Sequence, residues 1–292
     1  MASVSATVSR IRGHYWPLVK SRQTFLLTIT GMAGYLCQPS MPVDILRFLS
    51  LVGSLLLAIS GCTVLNMLID RDIDQKMTRT SRRPMAVGQV QPRAALCLGI
   101  ALISIGLIWS VALSRLYFLV ILAGVGVNVL VYSLWLKRRT AWSILLGGIA
   151  GGMPILAGRV LATGRIDLLG LLLALVIIHW IPSHNLTLTT IYAADYRQAG
   201  VPTILNVYGA TVTHLMVTFS SVMVALFSII VGVQLGLSGT FLAILFLASM
   251  GLVCLAVLQW INPSTKLVGI LFKYSSMYML VSMLFITISG MI

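Results

Sequence analysis

Asn66, Asp70 and Asp74 stand four residues apart at the end of a long apolar run. On a continuous helix that spacing puts all three side chains on one face. Two carboxylates held so close repel unless a cation lies between them. Hard oxygen donors at a helix end suit Mg²⁺, which keeps several waters and bridges to substrate phosphates. Arg71, Lys76, Arg79, Arg82 and Arg83 follow in the same stretch and offer phosphate contacts. Asp72 falls off the shared face and is expected to meet water or a basic neighbour. The competing reading is a solvated loop whose mixed charges only anchor a helix end. Against it, the chain has six acidic residues in all, and three of them sit within these five positions. Asn66 also lies inside the apolar run, where polar groups are costly and commonly functional.

A second polar segment runs from Tyr192 through Asp195, Tyr196 and Arg197 to Gly200 and Pro202. Gly200 and Pro202 break a helix there and can form a turn or lid. Asp195 is then expected to face Asp70 and Asp74, so that metal ions hold one diphosphate from both sides. His179, Pro182, His184 and Asn185 lie in the preceding apolar run, where each histidine reads equally well as a hydrogen-bonded packing residue. Lys137, Arg138 and Arg139 follow Tyr132 at the end of another run. They serve either as an orientation anchor or as diphosphate contacts. The chemistry that emerges is departure of a metal-bound diphosphate, stabilised by bases, from a hydrocarbon held in a dry apolar bundle. The allylic cation left behind is open to attack by an aromatic or alkene acceptor.

The elements that position these groups are membrane helices. Hydrophobic residues make up 59% of the 292 and charged residues 9%, and mean hydropathy is +1.01. A soluble domain carries about 25% charged residues, so a soluble globule is excluded, and so is disorder. Nine apolar runs are long enough to span a bilayer: 24–43, 48–69, 94–113, 116–136, 141–161, 168–190, 210–235, 240–261 and 268–291. No run alternates as barrel strands do, so the spans are helices. Residues 1–23, with Arg10, Arg12 and Lys20, read as a cytoplasmic or interfacial lead-in, and 24–292 as one domain. With the N-terminus inside and nine alternating spans, only Arg47, Arg115, Arg159 and Arg165 of the 20 Lys and Arg fall outside. That asymmetry supports N-in, C-out, with Asp70, Asp72, Asp74 and Asp195 on the cytoplasmic side. It also accounts for most of the +14 net charge without nucleic acid. Cys37, Cys62, Cys97 and Cys254 show no metal spacing. Gly147, Gly148, Gly151, Gly152 and Gly158 permit close helix packing; no strand precedes them to make a phosphate loop.

These motifs resemble the UbiA superfamily of intramembrane prenyltransferases, and within it the protohaem IX farnesyltransferases, or haem O synthases. The run Asn66–Pro84 follows the signature N-x-x-x-D-R-D-I-D-x-x-M-x-R-T-x-x-R-P. Tyr132–Thr140, Gly147–Pro154 and Asp195–Pro202 are similar to the haem branch, as are Phe272, Ser275 and Tyr278 to its F-x-x-S-x-x-Y. The single Asp of the second motif also suits the haem branch better than the Asp-rich quinone branch. The resemblance implies an all-α, nine-helix bundle around a central cavity that opens at the cytoplasmic face. It implies that Asn66, Asp70, Asp74 and Asp195 bind Mg²⁺–diphosphate, the three aspartates being catalytic. Arg22, Arg71, Lys76, Arg79, Arg82, Arg83, Lys137 and Arg197 become candidates for diphosphate contact, with Tyr132 and Tyr192 nearby. Farnesyl diphosphate and haem B are the implied substrates: a haem vinyl carbon attacks the ionised farnesyl group and water captures the resulting cation. The family's W-T-P-P-H-F-W-A-L keeps Trp180, Pro182 and His184 here but lacks the F-W pair, and P-M-L-P becomes Pro202–Leu205. His184 is the implied haem contact, as iron ligand or propionate partner. Other acceptors (a quinone precursor, a chlorophyll-type alcohol, a glycerophosphate lipid) remain the nearest alternative. A transporter, whose acids would lie near the midplane, is the remote one.

Overall fold

A chain this apolar must close its backbone hydrogen bonds within each segment, because hydrocarbon supplies none. The computed structural model describes residues 13, 15–19, 22–37 and 43–289, apart from the side chains of Arg22 and Ser289. Every regular element among them is helical. In chain order, α1 spans Arg22–Leu36, α2 Ile45–Ile69, α3 Arg71–Lys76, α4 Pro92–Leu113 and α5 Arg115–Gly126. A π-helical stretch, Val127–Leu136, continues α5. Then come α6 Ser143–Thr163, α7 Leu168–Ile191, α8 Ala193–Gln198, α9 Ile204–Gln234, α10 Gly239–Ile261 and α11 Thr265–Ser289.

Eight helices among the described residues are long and apolar enough to cross a membrane: α2, α4, α5 with its π extension, α6, α7, α9, α10 and α11. They match the last eight expected runs. The first expected run meets α1, whose 15 residues fall short of the roughly 20 a span requires. Residues 38–42 lie outside the described residues, as do Arg10, Arg12, Lys20 and most of the lead-in 1–23. The expected count of nine thus stands at eight here.

α2 packs on α4, α1 on α6, α6 on α7, α7 on α9, and α11 returns to both α7 and α1. The main core joins these helices, with Leu51, Tyr117, Ile155, Leu173, Val224, Leu252 and Leu271 sealed inside and α4 contributing Leu107 and Leu113 at its edge. The expected glycine packing of α6 is present. A Cβ on Gly158 would run into the carbonyl oxygen of Gly31, and one on Gly152 would sit 3.0 Å from that of Ala174. Only glycine lets α1 and α7 approach α6 so closely. At the end of the bundle opposite Asp70, Arg159 fastens three segments. It donates from Nη2 to Asp167 at 2.7 Å and from Nη1 to the Cys37 carbonyl at 3.0 Å. Burying that guanidinium is tolerable because carboxylate and carbonyl both receive it.

Candidate active site

The first motif sits where α2 stops. The expected unbroken helix through Asp74 is not observed. α2 ends at Ile69, and Asp70 takes φ −88°, ψ 6° before α3 begins. The shared face survives because i−4 bonding crosses the break: Asp70 N–H donates to the Asn66 carbonyl at 2.9 Å, and Asp74 N–H to that of Asp70 at 2.8 Å. The break also has an electrostatic reason. Asp72 and Asp74 fall in the first turn of α3 and Lys76 in its last, each at the favourable end of the helix dipole.

Asp70 and Asp74 are both buried, at 5% and 3% exposure, and each is held by a base. Lys137 Nζ donates to Asp70 Oδ2. Arg83 Nη1 reaches both oxygens of Asp74, at 3.1 and 2.9 Å. Burial pushes the Asp70 carboxyl above its ordinary value, with neighbouring Asp74 adding to the push, while Lys137 and Arg138 pull it down. Asp72 behaves as expected and meets a basic neighbour: Arg138 grips it with two nitrogens at 2.8 and 2.6 Å, holding its carboxyl below the usual range.

Asn66 is fixed from the π-helical stretch. Its Nδ2 donates to Asn128 Oδ1 at 3.0 Å, and its Oδ1 accepts from Ser133 Oγ at 2.7 Å. Asn128 and Ser133 escaped the sequence reading. Asn128 is legible by the argument that singles out Asn66, an amide within an apolar run. The π geometry itself shows in Lys137 N–H, which donates five residues back to the Tyr132 carbonyl. π segments often mark functional sites, and this one delivers Asn128, Tyr132, Ser133 and Lys137 to the end of α2. Lys137 also lies 5.9 Å from the centroid of the Tyr132 ring.

The second motif docks on the first. Thr78 Oγ1 donates to Asp195 Oδ2 at 2.6 Å, and the Arg79 guanidinium lies 5.6 Å from the Tyr192 ring centroid. Thr78 is a further residue sequence reasoning missed, and no local signal marks it. Among the described residues, Arg71, Lys76, Arg82 and Arg197 enter no ion pair, so the mouth keeps bases available for an anion. The Arg22 side chain is outside the described residues. His184 lies on α7, seven residues before that helix ends, its ring stacked between Trp180 of α7 and Phe272 of α11. An apolar cavity opens between α1, α2, α5 and α6, lined by Leu27, Leu55, Ala58, Cys62 and Met153, with Asn128 also in its wall.

Among the described residues no three His, Cys, Asp or Glu side chains converge into a closed metal cage. Mg²⁺ does not need one: it is commonly held by one or two carboxylates, waters and substrate phosphates. Asp70 Oδ1 is buried without a hydrogen-bond partner, an orphan acceptor of the kind a cation or its water satisfies. The donor set therefore fits Mg²⁺.

The profile of the UbiA prenyltransferase family matches residues 27–279. A relative named protoheme IX farnesyltransferase, from Korarchaeum cryptofilum (strain OPF8), is 38% identical over 213 residues, covering 73% of this chain and 72% of its own. A solved structure of a digeranylgeranylglyceryl phosphate synthase matches with a TM-score of 0.80 at 17% identity, covering 95% of this chain and 98% of the other. A UbiA homolog from Archaeoglobus fulgidus, bound to DMAPP and Mg²⁺, matches with a TM-score of 0.70 at 14% identity, covering 94% and 99%. The structural likenesses speak for the fold, and the profile and the relative speak for descent. With its acidic motif at a helix end and its second motif docked beside it, this chain belongs to the UbiA prenyltransferase family.

Proposed function

We propose that this chain transfers a farnesyl group from farnesyl diphosphate to a vinyl group of protohaem IX, giving haem O and releasing diphosphate. The observation that carries the donor half is the mouth itself: two buried carboxylates, each beside a base, at the end of a helix whose Asn66 is bonded to Asn128 in the wall of an apolar cavity. The acceptor rests on the name carried by the relative from Korarchaeum cryptofilum and on the haem-branch motifs of the sequence. The chain is an integral, multi-pass membrane protein. We take it as nine spans with the N-terminus and the mouth cytoplasmic and the C-terminus outside, which the distribution of Lys and Arg supports.

Asp70 and Asp74 would hold Mg²⁺, which when bound neutralises charge on the diphosphate. Asn66, clamped by Asn128 and Ser133, fixes the polar floor of the mouth. Lys137 and Arg83 keep the two carboxylates in place and stand ready for diphosphate oxygens. Arg71, Lys76, Arg82 and Arg197 add charge where it develops on the leaving group; losing one such donor costs about 10²–10³ in rate. The apolar cavity takes the hydrocarbon tail and excludes water from the allylic cation until the vinyl carbon attacks. The new C–C bond leaves a cation beside the macrocycle; water adds its oxygen there and releases a proton.

Membranes containing the chain, incubated with haem B and farnesyl diphosphate, are expected to yield haem carrying a hydroxyethylfarnesyl group by mass analysis of extracts. No prenylated haem under conditions where an active control enzyme makes it would overturn this reading. Prenylation of a quinone precursor or glycerophosphate lipid in its place would establish the alternative acceptor.

A further inference from the structure

A second cavity, of about 350 Å³, opens where α7 ends, α9 begins and α10 turns into α11. It shares no lining residue with the apolar cavity between α1, α2, α5 and α6. Part of its wall comes from a break in α9. Gly209 leaves the helical region at φ 83°, ψ −179°, and Ala210, the first residue beyond the break, lines the cavity. Its polar lining is rich in unused donors. His214 is buried, at 7% exposure, and its ring makes no hydrogen bond among the described residues. A neutral imidazole still carries one N–H to give. Gln259 is 4% exposed. Its Oε1 accepts from Ser264 N–H at 3.4 Å, which leaves both Nε2 hydrogens without a partner among the described residues. Ser264 Oγ accepts from Leu267 N–H at 3.1 Å, so its own proton is free. No Asp or Glu lines the cavity.

Buried donors left over with no acid beside them call for an oxyanion. The first turn of the 25-residue α11 adds its positive end at Thr265, with Lys266 next in the chain. The level of the cavity in the bilayer narrows the source of that anion. Thr190 and Ile191 of its lining run directly into the second motif, so it lies at the same end of the bundle as the mouth. Tyr208 and Trp260, which flank the lining residues Ala210 and Gln259 in the chain, are exposed, and such rings favour the headgroup level of a membrane. Val207, Leu258 and Ile261 beside them are exposed apolar surface of the kind acyl chains cover. We propose that this cavity binds the phosphate of an anionic phospholipid from the leaflet on the side of the mouth. His214, Gln259 and Ser264 donate to the phosphate oxygens, and the acyl chains run along α9 and α10. The site is separate from that of the prenyl diphosphate and does not depend on which acceptor the enzyme uses.

The test is native mass spectrometry of the full chain in detergent, titrated with dioleoylphosphatidylglycerol and, separately, with dioleoylphosphatidylcholine. The wild type is expected to bind phosphatidylglycerol saturably and at least about 10-fold more tightly than phosphatidylcholine, whose choline would bring a cation to a wall of donors. Gln259→Glu keeps the shape of the side chain and sets a carboxylate among the donors. It should weaken phosphatidylglycerol binding by about 10-fold or more, as should His214→Leu, which removes a hydrogen bond to a charged group. Thr265→Glu guards against loss by misfolding. Thr265 is exposed at the rim, and an acid in the first turn of a helix favours that helix, so the same weakening there reports on the anion. Equal binding of the two lipids, or unchanged phosphatidylglycerol affinity in Gln259→Glu or Thr265→Glu, overturns the proposal. Displacement of the lipid by inorganic phosphate or diphosphate at equal concentration would make this a site for a soluble anion, and displacement by haem B a site for the porphyrin; either result overturns the phospholipid.

Discussion

Asp70 sits where a carboxylate is least welcome, buried and at the negative end of α2. Lys137 is what makes the position tenable, so the pair is to be tested as a pair. Lys137→Met should strand a buried charge and cost about 3–5 kcal/mol, read as a lower melting temperature in detergent. Combining it with Asp70→Asn should recover the melting temperature but not the activity, which separates the stabilising role of the lysine from the chemical role of the aspartate. Asp70→Asn or Asp74→Asn alone should reduce haem O formation by about 10² or more while leaving the helical circular dichroism intact. Residual transfer near wild type in either would remove that residue from the diphosphate site. Thr78 offers a milder test. Its hydroxyl makes a charge-assisted hydrogen bond to Asp195, a class worth about 1.5–3 kcal/mol. Thr78→Val should therefore lower turnover by about 10-fold, and Thr78→Ser should retain it.

Among the elements, α9 carries a built-in irregularity. Gly209 holds φ 83°, ψ −179° inside the helix, a region essentially closed to residues with a Cβ. No atom lies within 4 Å of where that Cβ would be, so any penalty for Gly209→Ala is conformational, not steric. About 1–3 kcal/mol is expected, visible as a lower melting temperature. The sequence disclosed most of the helices, since apolar length alone marks α2, α4–α7 and α9–α11. It did not disclose the break at Asp70, because i−4 bonding preserves the spacing of four across the junction. Nor could it disclose the π-helical stretch, because a run as uniformly apolar as 116–136 has the same pattern in either winding. The carboxylates and their basic partners were legible as residue types, but that Lys137 holds Asp70 and Arg138 holds Asp72 depended on how the end of α2 meets the end of the π-helical stretch. The Thr78–Asp195 contact and the Trp180–His184–Phe272 stack depend on packing between distant segments, which no local pattern encodes.

At the scale of the molecule, charge is sorted by end. The mouth gathers Asp70, Asp72, Asp74 and Asp195 among a larger number of bases, and the far end holds Asp167 with Arg159. Chelation should expose the dependence of the mouth on a divalent cation. EDTA treatment of membranes is expected to abolish transfer, and Mg²⁺ to restore it, with no change in melting temperature beyond a few degrees. Transfer that persists through chelation would contradict the role given to Asp70 and Asp74. The contacts of the mouth also differ in how far they reach along the chain. Asn66–Asn128 and Asp70–Lys137 join residues 62 and 67 apart, whereas Thr78–Asp195 joins residues 117 apart. Synthesis runs from the N-terminus and folding follows it. The first two contacts can form once α5 has left the ribosome and entered the bilayer; the third must wait for α8. The nascent protein therefore shelters its buried aspartate early, yet possesses no complete mouth until most of its helices are in place. The diphosphate mouth is thus closed only after α8 has been made, with α9, α10 and α11 still to be inserted.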